Sequence, residues 1–454
     1  MAFRSINPAT GQEAKTLETW ASERIEAALE VTDRAAPVWA RTPVEERAAR
    51  IRKAAELLEA RRGQYARIVT EEMGKLYKES LAEVDKCARA CQYYAEHAPA
   101  FLADELLESD AGRSLVAYQP LGTVLAVMPW NFPLWQVFRF AAPALMAGNT
   151  GVLKHASNVP QCALAIEEIF ADAGFPPGVF QTLMISAAQV AGVIEDRRIH
   201  AVTLTGSEAA GRQVAAKAGD TLKKSVLELG GSDAFVVLED ADLDWTVQQA
   251  VISRYLNAGQ SCIAAKRFIV VDAIAEDFLL RFKAAVEALV PGDPMDESTT
   301  LAPMARIDLR DELHRQVTDS IAAGARVVTG CEPIERPGTF YGASILDYVS
   351  PGMRAYEEEL FGPVAVVIRA RDEAEALRIA NDSRFGLGGS VWTRDAARGE
   401  AFARRMDCGC AFVNGLVKSD PRLPFGGIKA SGYGRELSHQ GIREFVNAKT
   451  IWIR

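Results

Sequence analysis

The spacing of apolar positions divides the chain. From residue 21 to 106, Ala, Leu, Glu and Arg recur at helical period, most clearly in "RAARIRKAAELLEARR", which predicts helical cladding. From "SLVAYQPLGTVLAVMPW" onward the rhythm changes to short apolar runs separated by helix-length stretches: "LGTVLAVMP", "NTGVLK", "VFQTLM" and "HAVTLTG". A second series follows in "AFVVLE", "KRFIVVD", "ARVVTG", "FGPVAVVIRA", "GGSVWT" and "CAFVNG". Alternating strand and helix signals predict two α/β units with mainly parallel sheets and helices on both faces. The segment "NFPLWQVFRFAAPALMAG" reads as a buried helix from about Pro133. The tail "NAKTIWIR" reads as a terminal strand without a partner in its own neighbourhood. No internal repeat or low-complexity linker interrupts the pattern.

Composition narrows the class. With 454 residues, 49% hydrophobic and 24% charged, the chain is long enough for two or three packed units. A net charge of -9 and scattered basic residues argue against nucleic acid as a partner. No apolar stretch reaches the ~18 residues of a membrane span, and "MAFRSINPATGQEA" contains no apolar signal core, so a cytoplasmic protein is expected. Seven cysteines without framework spacing fit a reducing compartment. Cys408 and Cys410 lack CxxC spacing and a histidine pair, so no metal site is expected. Cys87 and Cys91, one helical turn apart, suggest shared packing.

Two stretches carry candidate chemistry. The dinucleotide fingerprint GxGxxG is absent from any βα turn, but "VTLTGSEAAGRQVAAKA" places Gly206 and Ser207 between a strand and a helix. Exposed backbone N–H groups and the helix dipole at such a turn suit a pyrophosphate, although Gly-Ser there also reads as a plain N-cap. Cys262, in "NAGQSCIAAKRFIV", lies in a small-residue, uncharged bend ahead of a strand. In isolation it reads as a packed thiol.

The segments "MPWNFPLWQVFRF", "VLKHASN", "LELGGSD" and "NAGQSC", followed by "EEELFGPV" and "LPFGGIKASGYGRE", alter that reading. In this order and spacing the chain resembles the aldehyde dehydrogenase superfamily along nearly its whole length, and within it the shorter bacterial succinate-semialdehyde dehydrogenases. The resemblance implies an α/β fold of two doubly wound parallel-sheet domains plus a β-hairpin oligomerisation element. It assigns residues 1–101 and 120–228 to a cofactor-binding domain, with 431–447 packing back on it, and 229–430 to a catalytic domain. Residues 102–119 and 448–454 become an element that joins subunits in a homodimer or homotetramer, giving the tail strand its partner. It places the nucleophile at Cys262, the general base at Glu228 and the oxyanion-stabilising amide at Asn131. Lys154 and Ser157 fall at the adenosine ribose or its phosphate, Gly206 and Ser207 at the pyrophosphate, and Glu359 and Phe361 at the nicotinamide half, with Trp130 flanking. Arg139, Ser419, Phe132 and Phe425 fall around the substrate.

The chemistry suits these residue types. A thiolate adds readily to an aldehyde, and the Asn131 amide with the Cys262 N–H can stabilise the charge that grows on oxygen. Loss of hydride leaves a thioester, and a carboxylate at Glu228 activates water to release the free acid. Relatives that pass the acyl group to coenzyme A generally lack this glutamate. NAD-preferring relatives often have a glutamate in place of Ser157; a small neutral serine, with Lys154 three residues earlier, implies NADP, with NAD as the weaker alternative.

Arg139, isolated in "VFRFAA" eight residues after Asn131, requires an anion. It is expected to hold the carboxylate of a short semialdehyde, with Ser419 adding a hydrogen bond; the alternative is a pairing with a protein carboxylate. Two positions depart from the family pattern. Ala264 replaces a second cysteine that allows a redox disulfide in some relatives, and Leu256 replaces an arginine that some relatives use for the substrate carboxylate. The remaining alternatives are another short carboxylated or aliphatic aldehyde as substrate, a cofactor-free cysteine hydrolase, for which none of the five histidines lies near Cys262 in sequence, and a non-catalytic binding protein.

Overall fold

The computed structural model describes residues 2–454, and Met1, the first residue of the expected cofactor-binding domain, lies outside them. Four helices form the expected cladding: α1 (Ser22–Arg41), α2 (Val44–Ala60), α3 (Arg62–Met73) and α4 (Tyr77–Phe101). They pack with α5 (Trp135–Met146) and α6 (Pro160–Asp172) into one apolar cluster. All twelve residues of α5 are buried, which explains why its sequence is apolar apart from Gln136 and Arg139. The helix begins at Trp135, two residues later than its sequence suggests.

The first of the two large sheets runs in the order Gly432–Tyr433, Lys224–Glu228, Ile199–Thr205, Thr123–Met128, Thr150–His155, Phe180–Thr182. Its last five strands are parallel, and Gly432–Tyr433 joins in the antiparallel sense. Chain order reverses between Thr123–Met128 and Ile199–Thr205, so a crevice opens beyond the carboxyl ends of these two strands. Asn131 and Gly206 lie just past those ends.

The second sheet runs Arg326–Thr329, Ser344–Asp347, Val364–Ala370, Ala265–Val271, Asp233–Val237, Gly388–Trp392, Cys410–Val413. Only its first pair is antiparallel. Strands such as Asp233–Val237 are buried at every position, as expected where helices cover both faces.

The tail strand pairs within its own chain. Val446–Ile453 lies antiparallel to Arg113–Pro120, with Val446 opposite Pro120 and Ile453 opposite Arg113, and Glu105–Leu107 completes this third sheet. The strand therefore starts at Val446, before the boundary at 448 expected from sequence. An N-terminal hairpin, Ala2–Ile6 with Glu13–Glu18, was not among the sequence expectations. Residues 13–18 are almost entirely exposed and lack the alternation that marks a half-buried strand.

One buried ion pair fixes the entry to α5. Glu83 of α4 accepts from the backbone N–H groups of Leu134 (2.9 Å) and Trp135 (3.0 Å), while its other oxygen meets Lys75. The Lys75 and Glu83 side chains are 0% and 2% exposed. Removing one partner strands the other's charge in the interior. Glu83→Ala is expected to cost about 3–5 kcal/mol of stability and Glu83→Gln less, measured by denaturant unfolding; equal, small losses would show that the pair does not anchor α5.

Candidate functional site

Cys262 is carried by a strained turn. Helix Leu243–Tyr255 ends in a tight turn, Leu256–Gly259, where Asn257 (φ 54°), Ala258 (φ 51°) and Gly259 (φ 72°) are all left-handed. Each non-glycine residue there costs roughly 1–2 kcal/mol, so the surroundings must hold it. Asn257 donates through its side chain to the carbonyls of Asn131 (2.8 Å) and Gln260 (3.1 Å) and through its backbone N–H to the Glu79 carboxylate (3.1 Å). Gln260 closes the turn with a bond to Asn257 O (3.1 Å) and accepts from Ala305 N–H (2.9 Å). Fully buried Arg254 donates to the carbonyls of Gly259 (2.6 Å), Gly362 (2.6 Å) and Ala265 (3.0 Å). Lys266 binds the carbonyls of Ser261 and Cys262, each at 2.8 Å, and pairs with Glu359 at 3.0 Å.

Cys262 is half-buried and lines two cavities. The first, about 250 Å³, lies at the crevice between the reversing strands and is bounded by Trp130, Asn131, Gly206, Ser207, Glu359 and Phe361. Trp130 and Phe361 meet edge to face at 5.8 Å, and Glu359 accepts from Gly231 N–H at 3.1 Å. Ser207 caps helix Glu208–Asp220 through Ala210 N–H (3.3 Å), leaving the first N–H groups of that helix at the crevice. The second cavity, about 210 Å³, is bounded by Phe132, Arg139, Ser419 and Phe425, with Lys86 and Trp135. Gln136 and Cys262 form the wall common to both.

The electrostatics of this wall are unusual. Burial pushes the Cys262 thiol up to about 12, outweighing the cations Arg139 and Lys266 that favour the thiolate. At neutral pH the sulfur therefore carries its proton. Glu228, at the end of its strand, has no hydrogen-bond partner on either carboxylate oxygen. Burial, reinforced by the negative charge of Glu436, raises it to about 8. A buried carboxylate without a partner, its pKa raised toward neutrality, is able to exchange a proton at that pH. Glu228 lies behind the wall and lines neither cavity directly. Asn131 spends one amide hydrogen on Gln260 O (3.1 Å), leaving the other free.

Arg139 finds the anion it requires inside the protein. Its guanidinium pairs with buried Glu436, bonds Thr205 Oγ1 at 3.2 Å, and lies 4.8 Å from the Phe425 ring centre. The pairing with a protein carboxylate is thus present, yet Arg139 still reaches the second cavity. Lys154 and Ser157 stand apart from both cavities, at the carboxyl end of strand Thr150–His155 and beyond it. Lys154 is half-buried with its pKa lowered by burial, and no carboxylate pairs with it among the described residues. Ser157 is exposed.

Several participants gave no signal in sequence: Lys86, Gln136, Thr205, Lys266 and Glu436. For Glu436 only the motif "GYGRE" marked the neighbourhood, and its partner Arg139 lies almost 300 residues away.

A model of the Aldehyde dehydrogenase family matches residues 1–451. A probable succinate-semialdehyde dehydrogenase [NADP(+)] of Synechocystis sp. is 51% identical over all of both chains. The succinate semialdehyde dehydrogenase [NAD(P)+] of Escherichia coli is 49% identical, covering 99% of this chain and 97% of that one. Among solved structures, succinic semialdehyde dehydrogenase from Streptococcus pyogenes in complex with NADP+ superimposes with a TM-score of 0.98 at 40% identity, covering all of both chains.

The left-handed turn makes a steric demand that can be measured. A Cβ at Gly259 would come within 2.2 Å of Gly362 O and 2.4 Å of Arg254 Nη2, in a conformation already unfavourable for alanine. Gly259→Ala is expected to lose roughly 2–4 kcal/mol, with a lowered Tm. An unchanged denaturation midpoint would show that the turn relaxes freely.

Proposed function

Because the chain belongs to the aldehyde dehydrogenase family, we propose that it oxidises succinate semialdehyde to succinate with NADP, NAD serving more weakly. The observation that carries this reading is the placement of Cys262 in a wall between two cavities, one at the nucleotide-type crevice and one edged by cations. Relatives of about 50% identity bearing that substrate and cofactor in their names support it.

Cys262 is the nucleophile: its sulfur bonds the aldehyde carbon, and the oxygen that becomes anionic is met by the Asn131 amide and the Cys262 N–H. Its thiol first gives up a proton, for which Glu228 is the nearby base. A nicotinamide cofactor in the first cavity would supply a hydride acceptor. Trp130, Glu359 and Phe361 would hold its nicotinamide end, Gly206 and Ser207 the pyrophosphate, and Lys154 with Ser157 the adenosine ribose and its 2'-phosphate. The unpaired Lys154 ammonium fits a phosphate dianion, and neutral Ser157 does not repel it. After passing the thiol proton on to solvent, Glu228 takes a second proton from the water that attacks the thioester and returns it to the departing sulfur, so that the acid is released and the thiol restored. Phe132 and Phe425 flank the chain of the substrate, and Arg139 and Ser419 face its carboxylate.

The first sheet with its helices serves as the cofactor-binding domain and the second as the catalytic domain. The sheet that contains Val446–Ile453 joins copies in a homodimer or homotetramer: its outer strand has a free edge, and Leu106, Leu107, Trp452 and Ile453 are exposed. Among the described residues no helix is long and apolar enough to cross a membrane, and residence in the cytoplasm accords with this.

Glu228 is neutral below its raised pKa and anionic above it, so the deacylating base is present only at higher pH. Turnover is expected to rise between about pH 7 and 9 with a midpoint near 8, and Glu228→Gln to lower it roughly 100-fold and abolish that rise. A pH profile unaltered by the substitution removes Glu228 from the mechanism. Initial rates with succinate semialdehyde and butanal against NADP and NAD test the reading as a whole. Higher kcat/KM with NADP and with the carboxylated aldehyde is expected, and Ser157→Glu should shift preference toward NAD; preference for NAD in the wild type refutes the cofactor assignment.

A further inference from the structure

The second cavity contains a cation that lacks a protein counter-ion. Lys86 lies on α4, one turn beyond Glu83, whose bonds to Leu134 and Trp135 fix α4 against α5. Its Nζ donates to Ser419 Oγ at 2.7 Å and sits 4.1 Å from the centre of the Trp135 ring. Trp135 Nε1 donates to the same Ser419 oxygen at 3.0 Å. A hydroxyl has two acceptor lone pairs and one hydrogen, so with both pairs occupied the Ser419 O–H must seek a third group. Lys86 likewise retains two of its three ammonium hydrogens. Both side chains line the cavity that Cys262 lines.

Lys418, on the same wall, has no ion pair among the described residues either but is exposed to solvent, and the two buried neighbouring cations are neutralised. Lys75 is matched by Glu83, and Arg139 by Glu436. Among the described residues, no carboxylate oxygen pairs with Lys86. The position six residues before Cys262, where some relatives have an arginine, is Leu256, and it borders the same cavity. The cavity thus lacks that arginine, and the ammonium of Lys86 lines it as well.

We propose that Lys86, with Ser419 as its hydroxyl partner, is the principal receptor for the carboxylate of the aldehyde substrate and sets the preference for carboxylated over neutral aldehydes. The proposal rests on the reading of the substrate as a carboxylated semialdehyde. Lys86 supplies the unneutralised charge and two donors, Ser419 supplies a third, and Arg139, tied to Glu436, contributes from beside them. The carboxylate so held leaves the aldehyde end of a short chain toward Cys262.

The charge of Lys86 is itself conditional. Burial, then the nearby Arg139, bring its pKa down to about 8, with Arg89 acting in the same sense and Cys87 and Glu83 of its own helix opposing. Lys418 and Cys262 are the other ionisable groups on the cavity wall. Below that pH the receptor is cationic, and above it the charge is lost.

Steady-state kinetics of Lys86→Met and Lys86→Arg on the full-length protein, with succinate semialdehyde and butanal, test this. Lys86→Met is expected to lower the ratio of kcat/KM for succinate semialdehyde to that for butanal about tenfold or more, through KM rather than kcat, and Lys86→Arg to recover part of it. In the wild type the same ratio should fall as pH rises past about 8, and in Lys86→Met it should be flat. A wild type preferring the carboxylated aldehyde, with that preference intact in Lys86→Met, overturns the role of Lys86 alone. A wild type without such a preference overturns the substrate reading and this proposal with it. Equal losses on both aldehydes, unrelieved by arginine, make Lys86 a structural residue and reject the proposal.

Discussion

The site depends on keeping three consecutive left-handed residues, Asn257 to Gly259, in place directly ahead of Cys262. Such a segment is unstable by itself, and the protein holds it with buried cations that bind carbonyl oxygens. Arg254 gathers oxygens from its own turn, from the following strand and from Gly362, in a segment a hundred residues away. Lys266 binds the carbonyls on either side of the Cys262 Cα and pairs with Glu359. The cysteine is thus positioned by charge–dipole bonds from a strand of the second sheet and from the helix before the turn, while Asn257 reaches across to Asn131 beyond the first sheet. Misplacement of either sheet would displace the sulfur.

A second constraint is electrostatic. Arg139, Glu436, Glu228 and Cys262 form a chain of interacting groups in which Arg139 acts on the other three. Arg139 favours the ionised forms of both Glu228 and Cys262, and Glu436 opposes ionisation of Glu228. Because Arg139 also bonds Thr205, next to Gly206, the group runs from the nucleotide-type crevice to the second cavity. Proton affinity at Cys262 and Glu228, raised first by burial, is therefore adjusted by residues from distant stretches of chain.

The legible part of this architecture was the part with repetitive physics. Strands buried on both faces produce uninterrupted apolar runs, and each of the quoted runs corresponds to a strand. The hairpin Ala2–Ile6 with Glu13–Glu18 escaped notice because a solvated strand has no apolar rhythm. Cys262, Glu228 and Asn131 stand out in the sequence through motifs, but their environment does not. Lys86 resembles any solvent-facing lysine in an Ala- and Glu-rich helix; only the arrival of Trp135 and Ser419 over it makes it a wall residue. Arg139 was recognised as needing an anion, yet sequence spacing could not select Glu436 as the group that supplies it. Contacts between distant segments have no local pattern to betray them.

The raised pKa of the Cys262 thiol has a consequence for survival as well as for chemistry. Peroxides and electrophiles attack thiolates, and a sulfur that keeps its proton at neutral pH reacts slowly with them. With alanine rather than cysteine at position 264, the resting protein has no adjacent thiol to trap a sulfenic acid as a disulfide. It relies on the raised proton affinity of Cys262 to slow the formation of that acid, and during turnover the bond from sulfur to the substrate carbon shields it further.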